Sequence, residues 1–368
     1  MAMERVRVGV IGTGIGAEHI RALQQVPGAV VTAVCSAQRG RAEAMARQFA
    51  VPRATTDYRG LLGADVDAVI ITTPPALHRA MALDAIAAGK HVFCEKPLAL
   101  TLTEAAEMRD AAVAAGVVHM VNHHMRFGAT YAEMQRRIVA GSLGAPTLAD
   151  ARVSMNPIDY LRAPVWSDSK PGWFIDAAQG GGILSGSAGP HLIDMLRWCW
   201  GEVTAVSCTA AVTVPVVPLA NGREITGITA PDGFLALLRF ASGAMATVRG
   251  VPIAYRRGGF SIEFNGTAGT LLAINDELHA AAAGDVAPEV VTTPDAPWDR
   301  AGIAARFIRA VRDGDTAATP DFNDGLAVQW ILAALNEAIA TQRWVALTPP
   351  LPKGHPPSPR GKGEKWES

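Results

Sequence analysis

The sequence predicts an α/β fold in which a parallel sheet comes first and a mostly antiparallel sheet follows. Short apolar runs of strand length alternate with helical stretches through the first third of the chain, a pattern typical of βαβ units. Beyond about residue 200 the strands are longer and alternate between apolar and polar residues. The chain has 368 residues, more than one hydrophobic core usually holds, so we expect two domains.

The first part is predicted to be a Rossmann domain covering residues 1–123. Strands are expected at Val6–Ile11, 30–35, Ala68–Ile71 and His91–Cys94, with helices at 40–49 and 77–88 between them. A further helix is expected to begin at Thr103 and to end at Gly116, because glycine suits a left-handed helix end. The last strand of this domain is then expected at 117–122.

The second part is predicted to be an α+β domain with a large, open sheet, covering residues 124–348. After a connecting helix at 129–140, strands are expected at 204–214, 234–240, 244–251 and 260–264. Ala241-Ser242-Gly243 has the composition of a hairpin turn, which predicts antiparallel pairing. Two helices at 302–313 and 324–340 can pack on either domain, and the polar residues 349–368 are predicted to form a flexible tail.

Composition and charge exclude several classes of protein. The formal net charge of −1 gives no electrostatic basis for binding nucleic acid or an anionic membrane, and no apolar stretch approaches the length of a membrane span. The four cysteines lack the spacing of metal ligands or of a secreted disulfide framework, so we expect no metal site and buried thiols in a reducing cytoplasm. A small-molecule partner is therefore expected.

A glycine-rich turn follows the first strand and opens a helix. It reads Gly12-Thr13-Gly14-Ile15-Gly16-Ala17. In a dinucleotide-binding motif, Gly12 would permit the tight turn, Gly14 would let the backbone approach a pyrophosphate, and Ala17 would pack the helix on the strand. The free N–H groups of the helix would then face the phosphates. The alternative is a plain turn, which the flanking strands disfavour.

The end of the second strand bears on the choice of cofactor. Position 36 is a serine, where NAD enzymes usually place an acid that binds the ribose hydroxyls. Ser36, with Arg39 or Arg41 nearby, could accept a 2′-phosphate, which predicts a preference for NADP over NAD. The alternative is that these arginines belong to a solvated helix start.

Several motifs together resemble the glucose-fructose oxidoreductase and inositol dehydrogenase family, also called Gfo/Idh/MocA. They are the opening Val8-Gly9-Val10-Ile11-Gly12-Thr13-Gly14, then Thr73-Pro74-Pro75-Ala76-Leu77-His78, Glu95-Lys96-Pro97, Gly180-Gly181-Gly182 and His191-Leu192-Ile193-Asp194. The resemblance implies a Rossmann domain joined to an open-sheet domain, sugar, cyclitol or polyol substrates, and homodimers or homotetramers formed through the sheet face. It also implies that the lysine of Glu-Lys-Pro reaches the substrate oxygen and that a later histidine shares the proton transfer.

The catalytic residues predicted in this way are Lys96 and His191. Oxidation of an alcohol requires removal of its proton, and burial lowers the pKa of a lysine toward the range in which it can act as a base. His191 and Asp194 are three residues apart at the start of an apolar helix and could form a coupled pair, although a structural ion pair of Asp194 is as well supported. Ser187 departs from the aspartate that many family members carry four residues before the histidine, which puts the substrate class in doubt.

Further residues complete the candidate site. The predicted cofactor contacts also include Thr73, Pro74, His78, Glu95 and Lys96. The predicted substrate contacts are Lys96, Arg126, Tyr160, Trp173, Asp176, Ser187 and His191. The aromatic residues, with Trp166, could stack on the apolar face of a sugar ring, while packing is an equally open use for them. Arg126, His123 and His124 follow the last Rossmann strand and face either the cleft or a domain interface.

The hypothesis favoured by these residues is an NAD(P)-dependent oxidoreductase that transfers hydride between the nicotinamide and a hydroxyl or carbonyl group. Two alternatives stay open. One is a nicotinamide-dependent enzyme that cleaves glycosides through transient oxidation. The other is a ligand-sensing relative without catalysis, against which the presence of Lys96 and His191 argues.

Overall fold

The computed structural model describes residues 5–63, 65–155, 172–218, 222–252, 259–275, 277–293 and 300–347. Within these ranges the strands form a six-stranded sheet near the N-terminus, a nine-stranded sheet farther along the chain, and a separate two-stranded pair. The predicted fold class, a Rossmann fold followed by a mostly antiparallel sheet, is confirmed. The predicted tail at 349–368 lies outside the described residues.

The N-terminal sheet is parallel throughout. Its strands are β1 Val6–Ile11, β2 Ala29–Cys35, β3 Arg53–Thr55, β4 Ala68–Ile71, β5 His91–Cys94 and β6 His119–Val121. They are hydrogen-bonded in the order β3-β2-β1-β4-β5-β6. Because the chain order reverses between β1 and β4, the carboxyl ends of these two strands open the crevice in which such sheets hold ligands.

The second sheet carries one exception to antiparallel pairing. Its strands are β7 Pro146–Met155, β8 Val203–Ala211, β11 Gly233–Phe240, β12 Met245–Pro252, β13 Gly259–Gly266, β14 Gly269–Ile274, β15 Glu277–Ala282, β16 Glu289–Val291 and β17 Val345–Ala346, while β9 Val217–Pro218 pairs with β10 Glu224–Ile225. The order is β16-β15-β14-β13-β7-β12-β11-β8-β17. Strands β7 and β12 run parallel, and the remaining neighbours run antiparallel.

The helices cover both faces of the first sheet and one face of the second. They are α1 Gly16–Gln24, α2 Arg39–Phe49, α3 Tyr58–Leu61, α4 His78–Ala87, α5 Leu102–Ala115, α6 Ala129–Val139, α7 Gly172–Ile175, α8 Gly182–Ser185, α9 Gly189–Trp200, α10 Arg300–Asp313 and α11 Phe322–Thr341. Short 3₁₀ turns lie at Pro75–Leu77, His124–Phe127 and Ala177–Gln179. No helix in the described ranges has both the length and the apolar content that crossing a bilayer requires.

The helix α5 begins at a capping box. The Thr101 side chain accepts a hydrogen bond from the Glu104 amide, and the Glu104 carboxylate accepts one from the Thr101 amide at 3.2 Å. These two bonds satisfy amides that the first helical turn leaves free, so the helix starts earlier than the predicted Thr103. Gly116 ends it in the left-handed region, with φ of 62°, as predicted.

The last two long helices differ in what they pack against. Helix α10 packs against α1 and β1, where Phe307 is fully buried with its ring 5.5 Å from that of Phe93. Helix α11 packs against β8 on one side and α5 on the other. Helix α10 thus belongs to the core of the first sheet, whereas α11 contributes to the cores of both sheets and holds them together.

Candidate active site

The glycine turn after β1 is pinned to the next strand by one threonine. Thr72 donates its hydroxyl hydrogen to the carbonyl oxygens of Ile11 and Gly12, at 3.0 and 3.1 Å. Gly12 has φ of 113°, and a Cβ built there would lie 2.5 Å from Thr72 Oγ1, so only glycine fits. The close contact between helix and strand lies at Gly16, whose Cβ would be 3.0 Å from the same oxygen, while Ala17 packs against the neighbouring core.

Gly14 is the open position of this turn. A Cβ built on it would meet no protein atom within 4 Å, and its φ is not in the left-handed region. The protein fold itself therefore does not require a glycine there. A backbone left bare above a helix N-terminus fits a dinucleotide, because the pyrophosphate needs close approach to main-chain N–H groups. Thr13 and Ile15, on either side, are partly buried.

The end of β2 places Ser36 beside the glycine turn. Its hydroxyl lies 3.2 Å from the hydroxyl of Thr13. Arg39, the first residue of α2, has a side chain that is 78% exposed, and its guanidinium lies 3.8 Å from Glu43. An ion pair this exposed contributes little to holding the side chain. Arg39 is therefore free to turn toward a ligand at the end of β2.

Glu95 is held by a buried set of hydrogen bonds at the end of β5. One carboxylate oxygen lies 2.7 Å from His19 Nε2 and also accepts a hydrogen bond from Asn122 Nδ2 at 2.7 Å. The other accepts the Lys96 amide at 3.2 Å. Burial alone would raise the pKa of the Glu95 carboxyl, but the hydrogen bond and charge of His19, with the charge of Lys96, hold it well below the ordinary value. Glu95 is thus a fixed negative charge.

Lys96 extends from the first sheet to a loop of the second part of the chain. Its ammonium donates to the carbonyl oxygens of Ser187 and Gly186, at 2.9 and 3.3 Å. Burial lowers the pKa of Lys96, Glu95 opposes this shift, and the positive charge of Arg300 adds to it. Because an ammonium has three hydrogens and two are directed at carbonyls, one donor position remains for a ligand.

The loop that receives Lys96 is tightly folded. A Cβ on Gly186 would lie 2.4 Å from the Gly180 carbonyl oxygen, so a larger residue would push the two parts of the loop apart. The glycine-rich run that the sequence singled out therefore has a packing reason at this position. In this tightly folded loop, the carbonyl oxygens of Gly186 and Ser187 both face the lysine.

Three histidines gather beside Lys96. The ring of His191 lies 4.7 Å from that of His124 and 6.4 Å from that of His123, measured between centroids. Burial, with the nearby positive charges of Lys96 and Arg300, lowers the pKa of His191 well below its ordinary value, and burial lowers that of His124 to about 3. At neutral pH these rings are uncharged. The buried Nδ1 of His191 has no hydrogen-bond partner among the described residues.

Arg126 and Asp194 form a separate buried network. Arg126 donates to Asp194 at 2.9 and 2.5 Å and to Asp324 at 3.3 and 3.1 Å, and Arg197 also donates to Asp324 at 3.3 Å. Asp194 thus forms a structural ion pair with Arg126 and lies 3.8 Å from His123, which favours the ion-pair alternative over a coupled pair with His191. The network joins α9, α11 and the turn His124–Phe127, so Arg126 holds helices together.

The other residues predicted to bind the cofactor or the substrate have mostly structural contacts. The ring nitrogens of His78 lie 2.8 Å from the Thr73 carbonyl oxygen and 3.0 Å from that of Pro97, so this histidine ties together the loops after β4 and β5. Pro74 is partly buried next to Thr73. Trp173 packs against Phe174, Val214 and Val217. Asp176 caps the turn Ala177–Gln179. Tyr160 and Trp166 lie outside the described residues.

Sequence reasoning missed three residues of this site. His19 and Asn122 bind Glu95, and Arg300 lies close enough to shift the pKa values of Lys96 and His191. His19 lies on α1 after the glycine turn, and Asn122 follows the last parallel strand, so position relative to the sheet could have indicated both. Arg300 is distant in sequence and carries no such signal. In the described ranges no group of three or more potential metal ligands comes together.

Comparisons with known proteins agree with this geometry. The family described as "Oxidoreductase family, NAD-binding Rossmann fold" matches residues 6–123. The family described as "GFO/IDH/MocA C-terminal domain" matches residues 131–272. The levoglucosan dehydrogenase of Pseudarthrobacter phenanthrenivorans is 30% identical over 93% of this chain and 98% of its own length. The 1,5-anhydro-D-fructose reductase of Ensifer adhaerens is 33% identical over 73% of this chain and 76% of its own length.

Solved structures extend the similarity across both sheets. A levoglucosan dehydrogenase in complex with NADH and levoglucosan superposes with a TM-score of 0.82 at 28% sequence identity, covering 93% of this chain and 99% of the other. An oxidoreductase domain protein from Kribbella flavida superposes with a TM-score of 0.83 at 26% identity, covering 94% of this chain and 100% of the other. The chain belongs to the Gfo/Idh/MocA family of NAD-binding oxidoreductases.

Proposed function

We propose that this protein is a nicotinamide-dependent dehydrogenase or reductase acting on a CH–OH group of a sugar, cyclitol or related polyol. The observation that carries the proposal is the position of Lys96, which bridges the end of the parallel sheet and the Gly186–Ser187 loop beside neutral histidines. Relatives named for levoglucosan, anhydrofructose and inositol support the substrate class.

The proposed cofactor contacts fit a nicotinamide dinucleotide. The bare backbone at Gly14 and the N-terminus of α1 would hold the pyrophosphate, and the loops joined by His78 would border the nicotinamide end. When bound, the nicotinamide supplies the acceptor or donor of the hydride. Glu95, ionised and fixed, keeps the β5 end in place beneath this region.

Lys96 is proposed to be the principal proton-transfer group. In its charged form it donates one hydrogen to the substrate oxygen while the Ser187 and Gly186 carbonyls hold the other two. In its neutral form it accepts the hydroxyl proton as the alcohol is oxidised. The lowering of its pKa by burial and by Arg300 brings the neutral form within reach at a lower pH than for a lysine in water.

His191 is proposed to assist. Its ring is neutral at neutral pH, because burial and neighbouring positive charges disfavour its protonation. A neutral imidazole accepts or donates one hydrogen bond at each nitrogen, so His191 can fix the orientation of the substrate hydroxyl and share its proton with Lys96.

A panel of sugars, cyclitols and polyols assayed at 340 nm with NAD and NADP tests the proposal. Turnover that requires Lys96 supports it. Cofactor that survives dialysis, with product formed and no net change in absorbance, would favour glycoside cleavage through transient oxidation. Cofactor binding without turnover of any compound would point to a ligand sensor.

The finer proposal for the cofactor is a preference for NADP. Ser36 offers a hydroxyl in place of an acid, and the exposed Arg39 side chain is held only by a 3.8 Å pair with Glu43, so it can bind a 2′-phosphate. The solved levoglucosan dehydrogenase carries NADH, so this preference would distinguish the present chain from that relative. Ser36→Asp should reverse it, and higher catalytic efficiency of the unaltered enzyme with NAD would refute it.

A second copy of the chain is the proposed partner of the open sheet face. Leu235, Leu237 and Met245 are 60%, 47% and 51% exposed on the side of the sheet that faces away from the helices, and Met245 lies opposite Leu148 in the register. Exposed apolar side chains on one face favour burial against another chain. Light scattering should show a homodimer or homotetramer, and Leu235→Glu should weaken it.

The division into domains and the location in the cell are also proposed, the first from the family matches and the second from the cysteines. The family matches at 6–123 and 131–272 support domains at 1–123 and 124–348. All four cysteines are free, which suits a cytoplasmic protein kept reduced.

A further inference from the structure

Arg300, the first residue of α10, is a cation near the proposed active site that has no ion-pair partner among the described residues. Its Nε is shielded from solvent and has no hydrogen-bond partner, and the guanidinium forms no ion pair within the described ranges. A buried guanidinium nitrogen without an acceptor is unfavourable, which points to a ligand that supplies one.

The packing of α10 places Arg300 beside the catalytic cluster. The helix packs against the turn His124–Phe127, and the His124 ring lies 4.7 Å from that of His191. The charge of Arg300 acts on Glu95, Lys96, His124 and His191, all of which belong to one cleft. Arg300 therefore lies near the cleft in which a substrate held by Lys96 would lie.

The charges of the cleft do not balance. Arg300 and the ammonium of Lys96 are positive, while His124 and His191 are neutral at neutral pH. Glu95 is the negative group here, and His19, Asn122 and the Lys96 amide already occupy its oxygens. The carboxylates of Asp194 and Asp324 are occupied by Arg126. The described part of the cleft thus has an excess of positive charge.

We propose that Arg300 binds an anionic group of the substrate, so that the favoured substrates are sugar or polyol acids bearing a carboxylate near the reacting hydroxyl. A guanidinium matches a carboxylate with two parallel hydrogen bonds, and the surrounding low dielectric strengthens the pair. This inference rests on the proposed function, since it names the substrate class of the same site. It goes beyond the relatives, whose names denote neutral sugars, anhydrosugars and inositols.

The first test compares matched ligands in direct binding. Calorimetry would measure the affinities of gluconate, glucuronate and neutral glucose for the protein saturated with NADH. We expect the acids to bind more tightly than glucose. Arg300→Met should weaken binding of the acids by about 10- to 100-fold and leave that of glucose unchanged. Arg300→Lys should keep part of the preference. Because this measurement needs no turnover, its result stands apart from the outcome of the activity assay.

Controls separate the competing explanations. Arg309→Met removes an exposed arginine from the same helix and should leave both affinities unchanged. A fall in NADH affinity of Arg300→Met with no change in acid preference would overturn the proposal and assign Arg300 to the cofactor pyrophosphate. Equal binding of acid and neutral ligand by the unaltered protein would also overturn it, as would a folded Arg300→Met variant with unchanged affinities.

Discussion

Replacing Gly14 by valine separates cofactor binding from folding. A Cβ at this position meets no protein atom within 4 Å, so the three added carbons occupy open space and the fold tolerates them. We expect the free energy of unfolding to change by less than about 1 kcal/mol. In the proposed cofactor site, the same carbons would lie where the pyrophosphate must approach the backbone. Loss of two charged N–H hydrogen bonds, at about 1.5–3 kcal/mol each, weakens binding by about 150- to 25,000-fold.

The assay is calorimetric titration of Gly14→Val with NADH, accompanied by a thermal melt that establishes folding. Ala114→Val, on the exposed face of α5, serves as a control for added bulk and should bind NADH normally. Gly12→Ala should show the opposite pattern and lose stability, because φ of 113° and a 2.5 Å approach to Thr72 exclude a Cβ. A folded Gly14→Val protein with NADH affinity close to that of the original would refute the cofactor assignment.

Three further predictions follow from the site. Lys96→Met should lower kcat by about 100- to 10,000-fold in steady-state assays with calorimetric NADH binding retained, and near-normal turnover would contradict its role. Asp194→Ala leaves Arg126 partly unpaired in the interior and should cost about 3–5 kcal/mol in urea unfolding, whereas Asp313→Ala on the surface should cost little. Burial lowers the pKa of His124 to about 3, below the value near 6.5 that it has in the unfolded chain. The free energy of unfolding is therefore unaffected by this group above about pH 6.5 and falls by up to about 1.4 kcal/mol per pH unit as the pH drops below it. In His124→Gln, urea unfolding between about pH 7.5 and 5 should show a shallower pH dependence.

The parallel sheet was predictable because its strands are buried on both faces. Largely apolar runs marked β1, β4 and β5, and the predicted bounds of all three match the structure to the residue. Strand β3 and helix α3 were missed, since Arg53–Thr55 is three residues long without an apolar run and Tyr58–Leu61 is a single turn. Elements this short depend on their neighbours more than on their own sequence.

The second sheet shows where local patterns fail. The hairpin at Ala241-Ser242-Gly243 was predicted correctly, because turn residues between alternating strands are a local signal. The parallel pairing of β7 with β12 joins residues about 100 positions apart, and no short-range pattern encodes it. The same holds in the site, where the pairing of Arg126 with Asp194 and the approach of Arg300 depend on how distant helices pack.

The acceptors that hold Lys96 are main-chain carbonyls. The position of the lysine ammonium therefore does not depend on which side chain stands at position 187. Any residue that keeps the loop conformation presents the same oxygen to the ammonium, at 2.9 Å. A serine there can thus replace an acid without releasing the lysine. The side chain at position 187 can therefore vary while the carbonyl acceptors of the proposed proton-transfer group stay in place.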